Sequence, residues 1–191
     1  MTTLNNYKKE NDKMQWFAMA AFRREKQAKE ELEECGIECF LPMRYQLVNR
    51  NGKKYRKLLP AIPTLVFVYS TKERLLLFKK THPKLQFMTT TYEGKRKIIT
   101  IPKRQMETFI KVASKFEEDL IYFKLDELNL KAGTKVRVHG TAFDGLEGTL
   151  IKIKGKRRKR VVVKIDDLVV VAASEIDPAY ISVIEDEDEE D

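Results

Sequence analysis

Few residues in this chain are suited to bond-making chemistry. Cys35 and Cys39 are the only cysteines, both within CGIEC, and His82 and His139 are the only histidines. A zinc knuckle or a dithiol redox centre needs a CxxC pair, and a structural zinc site needs a second set of ligands as well. Neither is present, so two reduced thiols at the edge of a core are expected, with no metal. The sequence also lacks a nucleophile–base pair, paired carboxylates in a glycine-bounded cleft and a phosphate-cradling glycine loop. It is read as a binding protein without a cofactor, not as an enzyme.

Charge is the stronger signal. Residues 1–120 carry 25 basic and 14 acidic side chains. The net charge is +8, yet the last seven residues, EDEDEED, are all acidic, which leaves +15 on the rest. Such a body is drawn to polyanions, nucleic acid first among them. The acidic end, 185–191, is too charged to pack and is expected to be disordered. In KGKRRKR, Lys156, Arg157, Arg158, Lys159 and Arg160 follow one another between two apolar runs and suit phosphate contacts without base specificity. Arg23, Arg24 and Lys26 open an expected helix, where cations oppose the helix dipole, and that placement hints at a use.

These residues need elements to position them. After a polar leader, 1–13, the run QWFAMAAF (15–22) reads as a buried strand, and RREKQAKEELEECG (23–36) as a helix stopped by Gly36. IECFLP (37–42) returns to strand. RYQLVNRNGKKYRKLL (44–59) has two β-prone arms around Asn51-Gly52 and should form a solvent-projecting basic hairpin. IPTLVFVYS (62–70) is a further buried strand. A helix over 71–83, capped by Thr71, strands around a 93–95 turn and a helix over 102–116 complete the first part. The order suits an antiparallel sheet flanked by helices, an α+β domain.

The last third changes character. KVRVHGTAFDGLEGTLIKIKG (135–155) places Gly140, Gly145 and Gly148 between two alternating strands, and RVVVKI and LVVVAASEI follow. The glycines are expected at positive φ in a tight reversal, and the strand count suits a small all-β barrel.

Taken together, the two parts resemble the NusG-type transcription elongation and antitermination factors, which join an N-terminal NusG domain to a KOW domain with an SH3-like barrel. The sharpest match is GTKVRVHGTAFDGLEGTLIKI, with its aromatic-x-Gly-x-x-Gly turn at Phe143, Gly145 and Gly148. The first part matches in order: Trp16-Phe17 in the opening strand, a helix with glutamates, GIECFLP, a basic hairpin and IPTLVFV. In that last element Ile62 and Leu65 stand where the family has aromatics, and Thr64 replaces a glycine. The departure points to a specialised antiterminator of the UpxY type, acting on long operons such as those for surface polysaccharides.

The resemblance implies a leader at 1–13, a NusG domain at 14–117, a linker at 118–131, a KOW domain at 132–184 and the acidic tail. It implies that Phe17, Ala20, Phe22, Ile62, Pro63, Leu65 and Phe67 form an apolar patch for the clamp helices of the RNA polymerase largest subunit. Pro63 and Leu65 are the foremost candidates. Ser70 and Thr71 would touch the opposite side of the polymerase cleft. Arg23, Arg24 and Lys26 would meet non-template DNA, and the 156–160 cluster DNA or nascent RNA. The KOW domain would recruit ribosome or Rho. A cytoplasmic monomer without membrane contact is expected. A ribosome-associated or other RNA-binding KOW protein stays open as the alternative.

Overall fold

A computed structural model describes residues 13–114, 120–123, 133–140, 144–153, 159–165, 169–172 and 178–184. The leader, most of the segment expected as a linker, Phe143, Lys156, Arg157, Arg158 and the acidic tail lie outside the described residues. The chain divides into two compact units, Met1–Met106 and Glu107–Asp191.

In the first unit, β1 (Gln15–Ala20) pairs antiparallel with β5 (Leu65–Ser70) in the register Gln15↔Ser70 to Ala20↔Leu65. On the far side of β5 lies β2 (Glu38–Phe40). On the far side of β1 lie the short β6 (Gln86–Phe87) and β9 (Thr100–Ile101). Strand alternation sends Phe17, Met19, Val66 and Val68 to one face, where they form the core with Ala28 and Leu32 of α1 (Glu25–Glu34) and Leu75 and Phe78 of α2 (Lys72–Thr81). Trp16, Ala18, Leu65 and Phe67 belong to the other face and are also buried. Burial on both faces accounts for the unbroken apolar runs in these two strands.

The helix ends follow from sequence. At the C-terminus of α1, Gly36 takes φ +62°, Ile37 N–H donates to the Leu32 carbonyl at 2.9 Å and Gly36 N–H to that of Glu33 at 2.9 Å, a Schellman closure. Thr71 caps α2 by accepting from Arg74 N–H at 3.2 Å. Asn51 (φ +52°) and Gly52 (φ +76°) join β3 (Met43–Arg50) to β4 (Lys53–Pro60) through the two-residue turn expected of them. A second small hairpin, β7 (Thr89–Tyr92) with β8 (Lys95–Ile98), turns at Glu93-Gly94 in the same manner.

In the second unit, β10 (Ile121–Phe123), β11 (Thr134–Val138), β12 (Glu147–Lys152), β13 (Lys159–Ile165), β14 (Val169–Ala172) and β15 (Ile181–Val183) form one antiparallel sheet. The order is β10-β14-β13-β12-β11-β15, and the ladder does not close into a barrel among the described residues. Val136, Val138, Leu146, Ile151, Val161, Val162 and Val163 are buried in it. Ile121–Phe123, read as linker, is a strand paired with β14. The last helix, α3 (Lys103–Ala113), spans the division between units, and within the second unit its Phe109 meets Tyr122 edge-on at 6.5 Å.

Candidate functional site

Beyond the last pair of β1 and β5, Ala20↔Leu65, two turns are fastened together. The first holds Phe22 (φ +44°) and Arg23 (φ +67°), the second Thr64 (φ +70°). Left-handed backbone costs a residue with a Cβ about 1–2 kcal/mol, so three in one corner need external support. That support is visible. Ala21 N–H donates to the Thr64 carbonyl at 2.7 Å, and Thr64 N–H donates to the buried Glu25 carboxylate at 2.5 Å. Glu25 sits in the first turn of α1, where its negative charge also favours the helix dipole.

The corner displays apolar surface. Phe22 is 58% exposed, Pro63 is exposed, and Ile62 and Ala20 are half-buried. Phe22 was expected inside the strand. The strand instead ends at Ala20, where its partner β5 begins, and the chain turns outward. Arg23 and Arg24 are exposed on the same turn, and Arg24 occupies the N-cap of α1 without a side-chain cap bond. A cleft beside it is lined by Arg24, Gln27, Glu31, His82 and Lys84.

Several residues expected at the contact are buried or engaged within the fold. Phe17 belongs to the core beneath α1 and α2, and Phe87 packs against its ring at 5.4 Å. Leu65 and Phe67 are 3% and 0% exposed, so they fix the strand behind the corner instead of presenting themselves. Ser70 is buried, and its hydroxyl has no hydrogen-bond partner among the described residues. Thr71 serves as a helix cap.

The cationic candidates separate similarly. Lys26 is exposed and donates from Nζ to the Leu58 carbonyl at 3.0 Å, joining α1 to the base of the β3–β4 hairpin. Lys159 is exposed at the start of β13, whereas Arg160, expected beside it on nucleic acid, is only 4% exposed.

At the glycine turn, Gly140 (φ +62°) donates its N–H to Asp144 Oδ1 at 2.7 Å, and Gly145 (φ +74°) donates to the Val138 carbonyl at 2.8 Å. Gly148 does not have the positive φ expected of it. It lies in β12, where a Cβ would stand 2.6 Å from the Val162 carbonyl oxygen. Its smallness serves close strand approach.

Both cysteines are free, Cys35 exposed and Cys39 half-buried. Burial, with help from Glu33 and Glu38 and against Lys29, pushes the Cys39 thiol from 9.0 up to about 11. A thiol held protonated is a poor nucleophile and ligand. Among the described residues no three His, Cys, Asp or Glu side chains gather as a metal site, and no helix is long and apolar enough to cross a membrane.

The family model described as "Transcription termination factor nusG" matches residues 14–110. A solved structure described as "Domain interaction in Thermotoga maritima NusG" is similar at 18% identity and a TM-score of 0.46, covering 91% of this chain and 98% of that one. No curated protein matches the chain.

Proposed function

The chain belongs to the NusG family, and we propose that it is a transcription elongation and antitermination factor that grips RNA polymerase through the corner of Phe22, Ile62 and Pro63. Members of that family are non-catalytic transcription factors, and this chain is not an enzyme. The observation carrying the proposal is the stapled corner itself. An exposed phenylalanine at positive φ, with an exposed proline next to the positive-φ Thr64, forms a rigid apolar projection, suited to burial against a partner helix. The partner proposed is the pair of clamp helices of the polymerase largest subunit, with Ala20 at the rim. Leu65 and Phe67 hold the strand from which the corner projects.

Arg23, Arg24 and Lys26 adjoin the corner and would face non-template DNA once polymerase is bound. Ser70 and Thr71 would mark the side turned to the opposite wall of the cleft, Thr71 as the cap that orients α2. The second unit is proposed as a KOW barrel on the strength of the Gly145 turn and the close approach at Gly148, with ribosome or Rho as its partner. Thr64 in place of glycine supports a specialised UpxY-type antiterminator acting on long operons such as those for surface polysaccharides.

The test pairs the full chain with purified core polymerase and, separately, with ribosomal subunits. Binding to polymerase with reduced pausing on a long template supports the proposal. Binding to ribosomal subunits alone overturns it in favour of a ribosome-associated protein. Transcripts from a deletion strain would identify the operons that lose their distal ends.

A further inference from the structure

The β3–β4 hairpin stands as a two-stranded sheet of its own, in unbroken register from Met43↔Pro60 to Arg50↔Lys53. At about 3.3 Å per residue its eight-residue strands extend roughly 26 Å. Between Met43 and Pro60 there is no acidic residue, and there are six basic ones. Alternation divides these between two faces. Arg44, Arg50, Lys53 and Lys57 share one face with Tyr55, and Lys54 and Arg56 share the other with Tyr45 and Leu47.

The ribbon is built against its own electrostatic interest. Arg50 and Lys53 are directly opposed, and like charges so placed destabilise a hairpin. Among the described residues no carboxylate forms an ion pair with Arg50, Lys53, Lys54 or Lys57. Large apolar groups are exposed between the cations: Tyr45 at 42%, Tyr55 at 41% and Leu47 at 72%. The Arg56 guanidinium lies 4.6 Å over the Tyr45 ring, which fixes both groups on the surface. Lys26 ties the base of the ribbon to α1 through the Leu58 carbonyl.

We propose that the β3–β4 hairpin is a duplex-DNA-binding arm that enters the major groove. Cations on both faces decide between anionic partners. A membrane surface or a single strand lies along one side and leaves the other face's cations without phosphates. The major groove of B-form DNA, about 12 Å wide, admits a two-stranded β-ribbon between two phosphate walls, whereas the deep, narrow groove of A-form RNA does not. The exposed tyrosines and Leu47 then face base edges and thymine methyl groups. This arm is separate from the polymerase corner, and its test contains no polymerase.

The experiment measures binding of the full chain to a mixed-sequence 20-base-pair DNA duplex, and to one of its strands alone, across salt concentrations. The variant combines Arg50→Ser, Lys53→Ser, Lys54→Ser and Lys57→Ser. Each lost contact should reduce the duplex salt slope by about 0.9, so between about 50 and 200 mM salt the wild type loses on the order of 100-fold more affinity than the variant. The single-strand slope should change little. A duplex slope equal in both proteins, or an equal flattening on the single strand, overturns the arm. Should the fourfold variant melt early, Lys54→Ser with Lys57→Ser, one cation from each face, should lower the duplex slope by about 1.8. No change in that pair is equally contradictory.

Discussion

Among the places where this chain turns through left-handed backbone, one in each unit stands out, and the two are built by opposite means. In the second unit Gly140 and Gly145 take positive φ at no steric cost. In the first, Phe22, Arg23 and Thr64 take it with side chains attached, and Glu25 with the Ala21–Thr64 hydrogen bond holds them there. Glycine would meet the geometric need at either place. Keeping a phenylalanine, an arginine and a threonine costs backbone energy and gains surface: an exposed aromatic ring, a charge and a rigid proline beside them. The glycine turn meets its geometry without a side chain, whereas the corner keeps an aromatic ring and a charge at the surface.

The contrast is sharpest where a side chain is added or removed. Gly148→Val should destabilise the second unit by about 3 kcal/mol, because the new Cβ meets the Val162 carbonyl and a backbone atom cannot swing aside. Chemical denaturation of the variant reads this directly. A loss under about 1 kcal/mol would mean that β12 and β13 shift apart easily. Glu25→Ala should cost about 2 kcal/mol by leaving Thr64 N–H without its acceptor. It should also quench the protection of that amide in hydrogen exchange, and full protection would show that the staple is not what holds the corner.

Smaller effects carry opposite signs in the two places. Thr64→Gly should stabilise the first unit by about 0.5 kcal/mol, since relief of the positive φ outweighs the added freedom of the unfolded chain. Gly145→Ala should destabilise the second by about 1 kcal/mol, although nothing crowds its Cβ position, because φ alone is at stake. The same sign in both would end the distinction. The effect at Cys39 depends on pH. Its thiol is raised from 9.0 to about 11, so its contribution to stability is complete below pH 9 and is lost as pH climbs through 11. Cys39→Ala should remove that part of the alkaline decline, measured as the difference in melting temperature between the two proteins over that window.

Much of this architecture was legible because local chemistry agreed with the tertiary structure. Asn51-Gly52 can turn a hairpin in few ways, Gly36 closes a helix, and Thr71 caps one. The continuous apolar run LVFV announced a strand buried on both faces, and Leu65 and Phe67 are buried for that reason. The end of β1 was not legible. QWFAMAAF is apolar throughout, and only the register with β5 shows that pairing stops at Ala20, leaving Phe22 outside. Gly148 looked like a turn glycine because spacing does not distinguish positive φ from close strand approach. Arg160 looked like one more member of a basic run, yet strand pairing draws it inward while Lys159 stays outside. Ile121–Phe123 is too short to declare itself as a strand, since its pairing partner β14 lies some 50 residues on.

The account rests on the corner as the contact with polymerase, and one measurement addresses it. Phe22→Asn with Pro63→Ser removes the exposed ring and the proline from the full chain while placing a residue that tolerates left-handed backbone at position 22. Affinity for purified core polymerase should fall about 30-fold, the loss of two apolar anchors, with the melting temperature unchanged. Wild-type affinity in a variant that melts like the wild type would contradict the account.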